Sequence, residues 1–249
     1  SSFDCLFEKI EQQVFSGKGF IIIKGLPTYK EGYSDEIVKN FFLEFSSKIG
    51  KPLIQNKRND LTCDVKTKFL DISVDNNSRG PVTNSYLQLH TAVGSILGLY
   101  CYKSSNTGGE TLLAPAYRVH EEFKKKRPDL IEQLYKVYYG DRRGEEPEGE
   151  PPYDSSPIFL VHEDIYRCRY VAIYYQAAQE KYLNLPRLSD KQIEALELMD
   201  YITNQEDICF TTKLEPGDLV FVNNEQVLHG RTSFNGNENI DRHLFRVWL

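Results

Sequence analysis

Five histidines occur in the 249 residues, and two of them lie where strand-like sequence aims an imidazole inward. His90 closes the run Ser85-Tyr86-Leu87-Gln88-Leu89-His90. His229 lies in Val227-Leu228-His229-Gly230-Arg231-Thr232, just after a strand-like stretch at 218–222. A neutral imidazole on a strand facing a barrel interior is a good ligand for a transition metal. Each one, taken alone, reads first as a core histidine satisfied by its neighbours. His120 and His162 lie among charged residues, on a helix and near a turn, and are expected at the surface. His243 follows Arg242 in an alternating strand and fits either face.

The elements that must position these side chains follow from apolar spacing. Phe3, Leu6, Phe7, Ile10 and Val14 predict a helix over 3–15, broken by Gly17 and Gly19, and 20–23 reads as a buried strand. A second helix is expected with Ser34 as its N-cap and Ile37, Phe41, Phe42 and Phe45 on its apolar face, stopped by Gly50 and Pro52. From about residue 61 short β-type runs take over, at 68–74, 85–90, 97–102, 110–114, 134–139, 158–160, 167–172, 211–213, 219–222 and 244–247. Turn signals separate several of them, at 106–109, 216–218 and 235–237. Helical insertions are expected near 117–133, broken at Pro128, and near 189–203, where Ser189 and Gln192 form a capping box ahead of Ile193, Leu196, Leu198 and Ile202. The stretch 140–156, rich in Glu, Pro and Gly, reads as a long loop of the kind that forms lids. Helices first, then many short strands, then a late helical insertion give a mainly β (α+β) fold: a double-stranded β-helix, or jelly-roll, cupin-like barrel buttressed by helices. One domain is expected over 1–249, with N-terminal helices and a strand in 1–60 and the barrel core in 61–249.

Several motifs, in order, resemble the TauD and clavaminate-synthase-like branch of the iron(II)/2-oxoglutarate-dependent oxygenases. They run through most of the chain: Gly19-Phe20-Ile21-Ile22-Ile23-Lys24-Gly25-Leu26-Pro27, Leu89-His90-Thr91, Gly108-Gly109-Glu110-Thr111 and Leu214-Glu215-Pro216-Gly217-Asp218-Leu219. The most specific stretch is Leu228-His229-Gly230-Arg231-Thr232-Ser233-Phe234, with Asp241-Arg242-His243-Leu244-Phe245-Arg246 behind it. The resemblance implies that His90 and His229 are imidazole ligands of Fe(II), with 2-oxoglutarate and O2 as cosubstrates. It implies that Arg242 pairs with the distal carboxylate of 2-oxoglutarate, where a planar fork meets a carboxylate with two parallel hydrogen bonds. Thr111 would add a hydroxyl donor to the same carboxylate. Arg246, an even number of residues beyond Arg242 and so on the same strand face, would contact substrate or cosubstrate. Arg231 reads as a brace for the segment after His229.

One position departs from the family pattern. There the first His is followed two residues later by Asp or Glu, completing a triad of two histidines and one carboxylate. This chain has Ala92. A methyl group cannot ligate iron. The resemblance implies, as the favoured outcome, the arrangement of the family's halogenases, in which Ala or Gly replaces the carboxylate and a halide such as chloride takes the open position. Val93, Gly94 and Ile96 are expected to supply the apolar surroundings a halide needs. Alternatively, Ala92 marks a hydroxylase that has lost its carboxylate, by natural or engineered change. A non-catalytic barrel binding a carboxylate would keep Arg242 and Thr111, but has no need of both His90 and His229.

Composition excludes several other classes. A net charge of −6 gives no basic face for sequence-independent nucleic-acid binding. The one basic run, at 124–127, sits beside Glu121 and Glu122 and reads as a solvated helix face. No stretch of 18 apolar residues and no signal-peptide pattern occurs, so a cytoplasmic protein without membrane partners is expected. The cysteines at 5, 63, 101, 168 and 209 have neither zinc nor disulfide spacing, and reduced thiols are expected. By resemblance of the 229–234 motif, the substrate is a small molecule, an amino acid or a derivative of one, free or carrier-bound. The acidic residues Glu145, Glu146, Glu148 and Glu150 would either close over a cationic group or, as favoured, stay solvated.

Overall fold

The computed structural model describes residues 2–56, 58–66, 84–163, 165–234 and 242–249. Helix α1 (Ser2–Glu11) runs into a π-helical turn (Gln12–Ser16) and is followed by strand β1 (Phe20–Ile23), which is half-buried rather than buried. Ser34 caps α2 (Asp35–Ser46) by accepting a hydrogen bond from the Ile37 amide, and Val38, Phe42 and Phe45 form its buried face. Ile37, expected on that face, is exposed, because the stripe is centred one residue further along.

Strands β2 (Cys63–Lys66), β3 (Leu87–His90), β4 (Ile96–Lys103) and β5 (Thr111–Pro115) begin the barrel. Strands β10 (Phe210–Thr212), β11 (Leu219–Asn223), β12 (Val227–Arg231) and β13 (His243–Trp248) complete it. They form an antiparallel five-stranded sheet in the order β1-β11-β4-β13-β2 and a four-stranded sheet in the order β10-β5-β12-β3. Period-two alternation decides what each face touches. Ile96, Tyr100, Tyr102, Phe221, Phe245 and Val247 pack outward against α1 and α2. Leu97, Cys101, Val220, Val222, Leu244 and Trp248 turn inward, between the sheets. Leu89, Leu112, Ala114 and Leu228 cover the outer face of the smaller sheet beneath α3 (Ala116–Lys126) and the later helices. The result is a double-stranded β-helix barrel with helices on both outer faces.

Several expected elements are redrawn. The helix expected over 117–133 is α3 followed, after Pro128, by a separate 3-10 turn (Ile131–Tyr135). That turn also replaces the start of the strand expected at 134–139; β6 is Val137–Asp141. The stretch 140–156 is a loop over 142–152, but its ends are strands: β6 pairs with β7 (Tyr153–Pro157), and the connection is tied by an Arg142–Glu150 ion pair. Asp141, accepting from Lys181 at 2.6 Å and Tyr182 at 3.0 Å, anchors it to the rest of the chain. Strands β8 (Phe159–His162) and β9 (Ile165–Cys168) form a second hairpin. The strand expected to reach residue 172 stops at Cys168, and α4 (Ala172–Lys181) begins at 172 instead; its apolar residues make no stripe, so periodicity misses it. Helix α5 (Asp190–Thr203) carries the expected Ser189–Gln192 capping box, although Ile193 is exposed and Ala195, Met199 and Ile202 are buried. The strand expected at 68–74 and the turn at 235–237 lie outside the described residues.

Two histidines are placed against expectation or beyond it. His120 is 4% exposed, not a surface group. Tyr135 and Glu121 hydrogen-bond its ring at 2.5 and 3.1 Å, and Phe159 and Tyr166 enclose it. His243 takes the outward face, buried against Tyr102 and Phe245, with Asp64 2.7 Å from its Nε2. Burial holds both imidazoles below their ordinary pKa, outweighing the nearby carboxylates. The unfolded chain therefore takes up protons first as pH falls through about 6.5, and stability present above that pH is lost below it. Urea unfolding at pH 7.5 and pH 5 should show this loss, and the double substitution His120→Gln/His243→Gln should shrink the difference.

The pairing of β12 with β3 carries a bulge. His229 stands opposite His90, yet Arg231 stands opposite Leu87, so two steps on β12 match three on β3. The extra residue lets Leu87 and His90 both line the interior despite their odd separation. Gly230 makes room for it: a Cβ there would lie 2.7 Å from the Leu87 carbonyl oxygen and 3.2 Å from the Leu89 amide nitrogen. Gly230→Ala should cost about 1–3 kcal/mol in urea unfolding, the cost of overpacking against backbone; an unchanged midpoint would show that the bulge relaxes freely.

Candidate active site

Between the two sheets lies a small cleft. His90, Ala92, Thr111, His229, Arg231, Arg242 and Arg246 all line it. Thus the residues singled out in the sequence converge from β3, β5, β12 and β13 on one cavity.

The two imidazoles form its centre. Their ring centroids are 4.4 Å apart and their planes are inclined by 53°. His90 Nδ1 is 2.7 Å from the Gln88 carbonyl oxygen, so Nδ1 carries the proton and donates it, leaving the Nε2 lone pair open. His229 is 7% exposed, and its Nδ1 has no hydrogen-bond partner among the described residues. Burial first, then Arg246, depresses the His90 pKa against the pull of the Gln88 hydrogen bond. Burial, with repulsion from His90 and Arg246, takes His229 well below its ordinary value. Two neutral imidazoles, one with an orphaned ring nitrogen, are a donor set that fits a divalent transition metal. Among the described residues, no group of three or more His, Cys, Asp or Glu side chains is placed to hold a metal.

Ala92 follows His90 directly after Thr91, and its segment is tightly held. The Thr91 amide donates to the Tyr170 carbonyl oxygen at 2.8 Å, and the Tyr170 amide donates to Thr91 Oγ1 at 3.0 Å. At about 0.5–1.5 kcal/mol for each buried hydrogen bond, these fix the backbone that presents residue 92 to the cleft.

Cationic groups make up the polar wall. Arg242 is buried, with no carboxylate paired to it among the described residues; its guanidinium lies over the Phe234 ring at 5.5 Å. Burial brings its pKa down to about 10, still charged at neutral pH. A buried guanidinium without a counter-charge is costly, and an incoming carboxylate offsets that cost. Gly109 leaves it space, since a Cβ there would sit 3.3 Å from Arg242 Nε. Thr111 is buried across from Arg231 in the β5–β12 pair. Arg246 donates from Nε to Gln55 Oε1 at 3.0 Å and stacks over Trp248 at 4.0 Å. Arg231 donates to the Ser85 carbonyl oxygen at 2.8 Å, as a brace would, and also reaches the cleft. Burial and the nearness of Arg242 lower its pKa to about 10.

The apolar lining differs from the expected one. Val93 is 61% exposed, Gly94 packs against Leu53, Trp248 and the chain end at Leu249, and Ile96 faces the outer cluster under α2. None of the three lines the cleft; Val65, Leu97, Leu99, Leu244 and Trp248 do. The strand alternation of 97–99 and 244–248 carried that signal, because Leu244, Arg246 and Trp248 share one face. The acidic residues 145–150 lie on the β6–β7 connection and not in the cleft lining. The basic run at 124–127 is a solvated helix end paired with Glu122, Asp129 and Glu194. Among the described residues, no helix is long and apolar enough to cross a membrane.

Known proteins share this arrangement of chain. FR-33289 synthase of Streptomyces rubellomurinus is 26% identical over 242 residues, covering 96% of this chain and 70% of that protein. The taurine hydroxylase-like protein SAT17 of Stachybotrys chartarum is 27% identical over 253 residues, covering 96% of this chain but only 62% of its own length. Among solved structures, asparagine oxygenase in complex with Fe(II), 2S,3S-3-hydroxyasparagine and succinate superimposes with a TM-score of 0.77 at 18% identity, over 99% of this chain and 79% of that one. The non-heme iron oxygenase OrfP in complex with Fe and alpha-ketoglutaric acid gives 0.69 at 15% identity, over 99% and 79%. The model of the taurine catabolism dioxygenase TauD, TfdA family matches residues 6–248, and the chain belongs to that family.

Proposed function

We propose that the protein, acting as one catalytic unit, is an iron(II)- and 2-oxoglutarate-dependent enzyme that oxidatively functionalises a C–H bond of a small, amino-acid-like substrate. The observation that carries this reading is the pair of imidazoles, His90 and His229, held neutral by desolvation and facing a cleft that also holds the Arg242 guanidinium, which has no carboxylate partner among the described residues. Iron held by the two imidazoles would supply the activation of O2, with 2-oxoglutarate as the co-reductant.

The chain's own residues bind and orient. Arg242 and Thr111 hold the distal carboxylate of 2-oxoglutarate, and the guanidinium fork fixes its direction. Arg246, oriented by Gln55 and Trp248, meets the carboxylate of substrate or cosubstrate. The side chains of Leu97, Leu99, Leu244 and Trp248 exclude water and strengthen each of these charge pairs. The amino-acid-like substrate class is supported by the relatives with solved structures, among them asparagine oxygenase and OrfP in complex with L-Arg.

Ala92 refines the reading. With a methyl at the position where a carboxylate would ligate, a halide would take that place beside the metal, and the product would carry halogen. Hydroxylation is the second reading, and the names of the relatives favour it, since they include a taurine hydroxylase-like protein and a complex with 3-hydroxyasparagine.

Incubation with Fe(II), 2-oxoglutarate, O2 and a panel of amino acids, with and without chloride, separates the two by mass spectrometry. Succinate formation coupled to a chlorinated product is the expected result, and Ala92→Asp should divert that product to hydroxylation. A hydroxylated product unaffected by chloride overturns halogenation; absence of succinate with every substrate overturns the enzyme reading. Arg242→Ala should raise the 2-oxoglutarate requirement by about 10-fold or more, the loss of one charged partner in a buried pair.

A further inference from the structure

Asn224 stands in the turn between β11 and β12, three residues before β12 begins, and is 2% exposed. Its amide side chain is spent on one target. Oδ1 accepts from the Ala92 amide at 2.8 Å, and Nδ2 donates to the carbonyl oxygens of Gly94 at 3.0 Å and Val93 at 3.3 Å. Its own backbone amide donates to the Ser95 carbonyl oxygen at 2.9 Å. One residue thus gathers four hydrogen bonds onto the segment 92–95, which follows His90, while its chain leads into the strand bearing His229.

This geometry has a direct chemical consequence. His90 and His229 are spaced by the β3–β12 register and need no help from Asn224. Residue 92 lies beyond the end of β3, off the ladder, and its distance from the imidazole pair depends on what holds the segment after His90. Thr91 is held by Tyr170 on one side; the backbone of residue 92 itself is held by Asn224.

We propose that Asn224 is a positioning residue that sets position 92 against the imidazole pair, tying it to the turn that delivers His229. Its role is to make the group at that position, whether a side chain or an anion beside a methyl, part of the metal's surroundings. The proposal rests on the reading of His90 and His229 as metal ligands.

A double-mutant cycle read by anaerobic Fe(II) titration tests it without turnover. In the otherwise unaltered protein, Ala92→Asp installs a carboxylate and should tighten Fe(II) binding by about 10–100-fold. In the Asn224→Ala background the same substitution should gain about 10-fold less. Asn224→Asp keeps the acceptor for the Ala92 amide but loses both donors; it serves if Asn224→Ala does not fold, and should also reduce the gain. Val38→Ala, on α2 against the outer face of the larger sheet, is the control for lost stability and should leave the gain intact. An equal gain with and without Asn224, or an equal reduction in Val38→Ala, overturns the proposal. So does a chain that binds Fe(II) but gains nothing from Ala92→Asp, since residue 92 then does not face the metal. Failure of the unaltered protein to bind Fe(II) at all overturns the reading beneath it.

Discussion

The pairing of β3 with β12 is the constraint on which the remainder of the site depends. Backbone hydrogen bonds place His229 opposite His90, and the bulge one step further on lets Leu87 join them at the cavity wall. Ladder geometry, rather than side-chain flexibility, therefore sets the distance between the two imidazoles. Gly230 is what permits the close approach, and its neighbours in sequence are the histidine and the arginine that use it. The larger sheet contributes no imidazole to the centre; it supplies the facing wall, with Leu97, Leu99, Leu244 and Trp248 keeping the space dry.

Dryness and charge then act together. Arg231, Arg242 and Arg246 reach the same cleft as two imidazoles that burial keeps neutral. In such surroundings a carboxylate entering beside Arg242 interacts far more strongly than it would in water, and the guanidinium has already been stripped of solvent on folding. The same argument bears on Ala92. A small anion near a divalent metal and buried guanidiniums is well compensated, so a missing carboxylate ligand does not by itself make the cavity hostile to negative charge.

Much of this was legible in the residues themselves, for identifiable reasons. His90, Ala92, Thr111, His229, Arg242 and Arg246 sit in motifs whose local chemistry is independent of what packs around them, and all six line one cleft. Capping signals at Ser34 and Ser189 are equally local, and both helices start there. What escaped was set by tertiary context. His120 sits between charged neighbours in sequence, yet Phe159, Tyr135 and Tyr166 close over it from distant parts of the chain. Helix α4 has no apolar stripe to announce it, and the ends of the 140–156 stretch look like loop until Asp141 finds Lys181 and Tyr182. Val93, Gly94 and Ile96 were misplaced because the chain turns away from the cleft just after Ala92. Asn224 carries no chemistry that a sequence motif would flag; its importance is visible only in its partners.

The central claim is that His90 and His229 hold Fe(II) in a cleft where 2-oxoglutarate reaches both the metal and Arg242. Its most direct test is an anaerobic titration with Fe(II) and 2-oxoglutarate, followed by the visible charge-transfer absorption of the metal–cosubstrate complex. A band that requires both components, and that is lost in His229→Ala while the fold persists, is the result expected. No band in the intact protein, or a band undiminished in His229→Ala, would contradict it.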